Sequence, residues 1–231
     1  DALFRTYSMT RQITSAAVLM LYEQGKFQFD DPIKQYLPEF EDQKVLRDPN
    51  STDLRQVRNR IGDITVAHLL THTSGLGSRG SRLYRENNVR DKNITLSEMV
   101  TNAARVPLFH DPGTQFRYGI HATILGKLIE VWSGQPFEEY LQEHLLNPVG
   151  MGSTMFWASE EDLDRLSVVY RPVDGRLRSY QIETIPYTMR PRLIEGGVGL
   201  LSSVMDFMRF SQMILEGGLF NGDRILQEET V

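Results

Sequence analysis

Ser8 and Arg11 stand three residues apart in Tyr7-Ser8-Met9-Thr10-Arg11, at the head of a stretch with helical spacing. Residues i and i+3 of a helix share a face, so a hydroxyl and a basic group placed this way sit side by side. With an amine in the second position, the pair arms a serine: the amine takes the hydroxyl proton and leaves a nucleophile. Here the basic residue is arginine, whose guanidinium stays protonated at any ordinary pH. A further candidate lies later in the chain. Tyr118 follows the turn Asp111-Pro112-Gly113-Thr114, and a phenol of pKa about 10 becomes a useful base only beside a cation. Arg11 is such a cation.

Each candidate has a plainer reading. Serine is common as an N-cap, so Ser8 on its own reads as a helix start. Tyr118 on its own reads as a half-buried structural tyrosine. His68 and His72 have the i, i+4 spacing of a zinc pair, but no third ligand and no helix-borne glutamate accompany them, so they are taken as structural. His110, His121 and His144 are scattered, with no carboxylate relay evident. Gly196-Gly197-Val198-Gly199 lacks the lysine and threonine of a phosphate loop and reads as a backbone turn beside the site.

The elements that must carry these residues follow from pattern and caps. Thr10 to Gln24 is predicted to be a helix, with Ile13, Ala16, Ala17, Met20 and Leu21 at helical spacing and Gly25 as its stop. Val18 and Leu19 widen its apolar stripe, so it expects partners on several sides. Its first backbone N–H groups are expected to point at Ser8. Thr65 caps a short helix over Val66–Leu70, and Thr95 with Glu98 forms a capping box before a helix to about Arg105. Ala122 to Trp132 reads as an amphipathic helix ending at Gly134, and Pro136 starts the next, to about Leu146. Ser159 caps another short helix, and Ser203 with Asp206 opens a long one to Glu216. Residues around Asp174-Gly175 form a hairpin. Gln43 to Arg60 is read as a surface loop. The aromatic set Phe4, Tyr7, Phe27, Phe29, Tyr36 and Phe40 is assigned mostly to the core.

Composition sets outer limits. A 231-residue chain with 40% apolar content and no cysteine is one globular domain, or one domain with a lobe, without disulfides or thiolate metal sites. A net charge of −5 leaves no electrostatic footprint for nucleic acid or an anionic membrane. No apolar run reaches the roughly 20 residues of a membrane span. Compartment and oligomeric state are not fixed by these numbers.

Further segments follow the serine motif in a telling order: Thr65-Val66-Ala67-His68-Leu69-Leu70-Thr71-His72-Thr73-Ser74-Gly75-Leu76, Asp111-Pro112-Gly113-Thr114-Gln115-Phe116-Arg117-Tyr118, Asn147-Pro148-Val149-Gly150-Met151, and Gly196-Gly197-Val198-Gly199-Leu200-Leu201-Ser202-Ser203. The order resembles the serine beta-lactamase-related family of class C beta-lactamases, D-alanyl-D-alanine peptidases and carboxylesterases. The Tyr-Ser-Met-Thr opening and the run to Leu37-Pro38-Glu39-Phe40 look most like its esterase branch. The resemblance implies an α/β fold of the beta-lactamase/DD-peptidase type, with residues 1 to 231 holding mainly its helical part and the central sheet largely missing, as in a partial domain. It implies a serine hydrolase working through an acyl-enzyme on a small carboxylic ester or related amide, with Ser8 as nucleophile, Tyr118 relaying the proton and Arg11 in the place of the family's lysine. It implies no metal and no organic cofactor, and it places a second oxyanion donor on a strand beyond Val231. Ile120 stands where beta-lactamases and peptidases of the family tend to carry asparagine, which weighs against a beta-lactam substrate. Arg11 admits three readings: a cation that keeps the electrostatic role, the mark of a non-catalytic binding relative, or a sequence variant.

Overall fold

The computed structural model describes residues 1–180, 185 and 187–231. In chain order its elements are β1 (Phe4–Arg5), α1 (Thr10–Glu23), β2 (Val45–Leu46), β3 (Val57–Arg58), α2 (Val66–Leu70), α3 (Arg82–Glu86), α4 (Leu96–Arg105), α5 (His121–Ser133), α6 (Phe137–Leu141), β4 (Tyr170–Val173), β5 (Arg176–Ser179), β6 (Leu201–Ser202), α7 (Val204–Leu215), β7 (Leu219–Phe220) and β8 (Asp223–Arg224). The strands pair antiparallel in twos, β1 with β6, β2 with β3, β4 with β5 and β7 with β8, and among the described residues no larger sheet forms. The helical part of an α/β fold is therefore present with only small sheets, as the sequence implies.

Local chemistry explains the helix boundaries. Thr65 accepts the N–H of His68 while the His68 ring accepts the N–H of Thr65, closing a capping box on α2. Thr95 and Glu98 do the same on α4, and Ser203 accepts from the N–H of Asp206 on α7. Such a cap contributes about 1 kcal/mol. Gly134 ends α5 in the left-handed region, at φ +74°.

The core sits around α5, which packs against α1, α2, α4 and α6. Its amphipathic pattern is narrow: nine of its residues, from His121 through Trp132, are buried, while Lys127, Glu130 and the exposed Val131 share one face. Lys127 and Glu130 pair with each other on that face at 2.9 Å. Trp132 stacks on Phe27 with ring centroids 4.1 Å apart. α1 is likewise enclosed, with Ile13, Thr14, Ala16, Ala17, Val18 and Leu21 buried.

Three expectations change. Gln43 to Arg60 is not simply a surface loop: Val45 and Leu46 are buried, and Gln43 donates to the carbonyls of Ala103 and Val106 at 2.9 and 2.7 Å. Two apolar residues between charged neighbours are too short a signal to betray a strand. α3 forms where no helix was expected, capped by Ser81. Of the aromatic set, Phe27 and Phe40 are core, whereas Phe4 and Tyr7 are 46% and 37% exposed because they lie on β1 and the turn after it.

Candidate active site

Two anchored segments face one cavity. The first carries Ser8. β1 pairs with β6 through Phe4 opposite Ser202 and Arg5 opposite Leu201. Thr6 then donates to the carbonyl of Leu200 from both its N–H (3.0 Å) and its hydroxyl (2.9 Å). The Thr6 and Thr10 hydroxyls lie 3.0 Å apart, and Thr10 accepts the N–H of Leu200 at 3.2 Å. Between these anchors the chain makes a 3₁₀ turn over Tyr7–Met9 before α1 begins. Tyr7 is forced to φ +46°, a conformation that costs a non-glycine residue about 1–3 kcal/mol and persists only where the surroundings over-determine it. Ser8 does not cap α1. Met9 occupies the N-cap without a side-chain bond, and the first helical N–H turns back to the carbonyls of Tyr7 and Ser8. The predicted convergence of helix N–H groups on the Ser8 hydroxyl is not the arrangement at this terminus. Instead the serine side chain is left exposed and uncommitted.

The second segment carries Tyr118. The Thr71–Gly77 turn grips the 109–120 loop through backbone bonds: Phe109 N–H to Gly75 C=O (2.9 Å), Gly113 to Thr73 (2.8 Å), Arg117 to His72 (2.8 Å) and Ile120 to Gly77 (3.1 Å). Gly75 has φ +88°, and a Cβ there would lie 2.3 Å from the His110 carbonyl oxygen, so only glycine permits the approach. The i, i+4 histidines separate accordingly. His68 closes the α2 cap, while His72 lies past the helix end at φ +59°, its Nδ1 2.9 Å from Nδ1 of the fully buried His121. The His72 ring sits 4.9 Å from the Tyr118 ring. Burial holds both imidazoles uncharged at neutral pH. His72 is lowered to about 4 by burial and then by Arg11, and His121 to about 3 by burial, then by His72 and Arg11.

Ser8, Arg11 and Tyr118 line a single cavity of about 290 Å³, together with Arg79, Ile120, Glu195 and Gly197 among others. The Arg11 guanidinium lies over the Tyr118 ring, its central carbon 4.3 Å from the centroid, a cation–π geometry. Burial lowers the Arg11 pKa below the ordinary guanidinium value, and Tyr118 acts in the opposite sense. Two of its nitrogens, Nε and Nη1, are buried without a hydrogen-bond partner. The Gly196–Gly199 segment forms the adjacent wall. A Cβ on Gly196 would strike the Ala122 carbonyl at 2.5 Å, and one on Gly197 would sit 3.5 Å from Arg11. The Thr14 hydroxyl donates to Gly196 C=O at 2.8 Å and fixes that wall to α1.

The structure thus brings the three predicted site residues to one place, with Ile120 beside them. Sequence reasoning missed two other lining residues and one contact. Glu195, 3% exposed, is gripped by Arg90, whose Nε lies 2.9 Å from both carboxylate oxygens. Arg79 lines the cavity from the loop after Gly77. The His72–His121 contact joins residues 49 apart, and no local spacing announces it. Glu195 adjoins the glycine run, the one local hint available. Among the described residues no cluster of His, Cys, Asp or Glu is arranged to hold a metal, and no helix is long and apolar enough to cross a membrane.

Comparison with known proteins agrees with this architecture. The esterase EstB of Burkholderia gladioli is 32% identical over 189 residues, covering 76% of this chain and 43% of its own length. The monacolin J acid methylbutanoyltransferase of Aspergillus terreus is 28% identical over 237 residues, covering all of this chain and 56% of that enzyme. The solved structure of EstCE1, a hydrolase with promiscuous acyltransferase activity, superposes with a TM-score of 0.83 at 23% identity over the whole chain and 62% of its own, a likeness of fold. The chain spans roughly half the length of the relatives it matches. The family model described as Beta-lactamase matches residues 1–231, end to end, and the chain belongs to that family.

Proposed function

We propose that the protein acts as a serine hydrolase or acyl transferase through an acyl-enzyme, on a small carboxylic ester or a related amide. The observation that carries this reading is the shared cavity: an exposed, uncommitted Ser8, a tyrosine, and a cation lying on that tyrosine's face. In the first step the Ser8 hydroxyl oxygen bonds to the acyl carbon, its proton passes by way of Tyr118, and the alcohol leaves carrying a proton. Water, or another alcohol, then attacks the acyl-serine and releases the acid or a new ester. Arg11 takes no proton. Its charge steadies the negative charge that develops on the tyrosine oxygen during transfer, an electrostatic role with no general-base help of its own. Relatives named as an esterase and as an acyltransferase support both acceptors. Ile120 in the lining, an apolar side chain without a donor, favours an ester over a beta-lactam amide.

The test is covalent labelling. A fluorophosphonate should add its mass to the peptide containing Ser8, and Ser8→Ala should abolish both the label and turnover of a short-chain nitrophenyl ester. A folded protein that takes no label and turns over no ester would instead be a binding member of the family, one of the readings that Arg11 admits.

A further inference from the structure

The charges around the cavity do not balance. Three charged side chains line it: Arg11, Arg79 and Glu195. The carboxylate of Glu195 is already committed to Arg90, which approaches from outside the lining with its Nε 2.9 Å from each oxygen. Arg11 forms no ion pair among the described residues; it lies on the Tyr118 ring and feels Glu195 only as a more distant opposite charge. Arg79 is exposed, and among the described residues no carboxylate pairs with it. Arg79 acts on Arg11 as a like charge and Glu195 as an opposite one, both ranking behind burial and Tyr118. Two guanidiniums and one already paired carboxylate therefore line one half-open cavity, in a chain whose net charge is −5. The lining carries an excess of positive charge that an anionic group of a ligand can offset.

We propose that this anionic group is a carboxylate of the substrate: the cavity selects acyl groups that end in a free carboxylate, held at the mouth by Arg79 within the field of Arg11. The ester carbonyl then lies at Ser8 and the carboxylate a few atoms away. A volume of about 290 Å³ is near the small end of ligand pockets, which fits the half-ester of a short dicarboxylic acid and excludes a bulky acyl chain. Arginine suits the task because its planar fork can hold both carboxylate oxygens. This assignment rests on the Ser8 acyl-enzyme reading for its chemistry, and on the charge inventory alone for its selectivity.

The experiment compares three esters on the full 231-residue chain: the mono-4-nitrophenyl ester of glutaric acid, the same compound with its free carboxylate capped as a methyl ester, and 4-nitrophenyl butyrate. The expected result is a kcat/KM at least about tenfold higher for the anionic ester than for its capped isostere, a ratio that shrinks as salt rises. Arg79→Gln should bring the ratio close to one, Arg79→Lys should retain most of it, and Arg79→Glu should turn it below one. A Ser8-dependent turnover of the neutral esters with no preference for the anionic one, or a preference that Arg79→Gln leaves intact, overturns the inference while leaving the hydrolase reading standing. If this chain turns over no ester, the inference is judged by binding. Monomethyl glutarate should then show saturation transfer from the protein where dimethyl glutarate does not, and Arg79→Glu should remove the difference; equal signals would overturn it.

Discussion

Arg90 and Arg11 are both partly buried cations that meet the wall of the same cavity, Arg90 at Glu195 and Arg11 at Tyr118. Arg90 is matched: a carboxylate that is 3% exposed receives it through two nitrogens. Arg11 is unmatched: it lies on a ring face with two buried nitrogens unused. A charge–charge pair of the first kind is complete before any ligand arrives and holds the glycine wall in place. A charge of the second kind is not cancelled by an ion pair, so its field remains available to a substrate or a transition state. The two sides of the cavity therefore separate structure from chemistry, and substitutions on each should fail in different ways.

The largest effect expected is on stability. Glu195→Gln leaves the Arg90 guanidinium partly buried without its counter-charge, and breaking one partner of a buried pair typically costs about 3–5 kcal/mol. Arg11→Gln removes a cation that has no carboxylate partner, so its stability should stay within about 1 kcal/mol of the parent. Urea denaturation of the two variants reads the contrast directly. Equal losses would mean that Arg11 is as structural as Arg90, and the division proposed between the two sides would not stand.

That contrast also marks what the sequence made legible. Ser8 and Arg11 were readable as a candidate pair from their i, i+3 spacing, but it was the order of the later segments, and the family it resembles, that singled out Ser8 and Tyr118 over their plainer readings. The caps at Thr65, Thr95 and Ser203 were readable locally, since each is decided within four residues. Glu195 and Arg90 are 105 residues apart, and His72 and His121 are 49 apart. Their partnerships are products of the tertiary fold, and the glycine run beside Glu195 is the one local hint at either. α5 was legible because its least buried residues, Lys127, Glu130 and Val131, recur on one helical face. Tyr7 is the remaining surprise: nothing in its side chain foretells a left-handed backbone, which is imposed by the Thr6 and Thr10 anchors on either side.

The next effect, on rate, sharpens the chemical side. Arg11→Lys puts an amine where the guanidinium lies. The burial that lowers the Arg11 pKa acts on a lysine too, and lysine releases its proton in a desolvated site whereas arginine keeps it. General-base help is worth about 10²–10⁴-fold, so the acylation rate for a short nitrophenyl ester should rise by at least about tenfold. Because proton removal from Ser8 belongs to acylation, the gain should appear in the pre-steady-state burst and leave deacylation little changed. A folded Arg11→Lys protein with an unchanged burst would show that Tyr118 already supplies all the base the site uses.

The smallest effect is a pH dependence, and it tests how far the unmatched charge of Arg11 reaches. In the folded protein His72 is lowered to about 4 by burial and then Arg11, and His121 to about 3 by burial, then His72 and Arg11. Their unfolded value is near 6.5. Between about pH 6.5 and pH 4 the unfolded chain therefore binds protons that the folded chain refuses, and stability must fall as pH falls through that window. One such proton corresponds to a slope of about 1.4 kcal/mol per pH unit. Carboxylates elsewhere contribute their own acid sensitivity, so the informative quantity is the difference between variants. His72→Asn removes one titrating ring, and asparagine tolerates the left-handed backbone at this position. Its unfolding free energy should decline less steeply than the parent's between pH 7 and pH 4.5. Arg11→Gln should also flatten the slope, by less, since Arg11 ranks below burial among the causes for both rings. An Arg11→Gln slope identical to the parent's would confine that charge to Tyr118 and the cavity. A flattened one would show that the histidine pair beneath Tyr118 stays neutral in part because the unmatched cation stands above it.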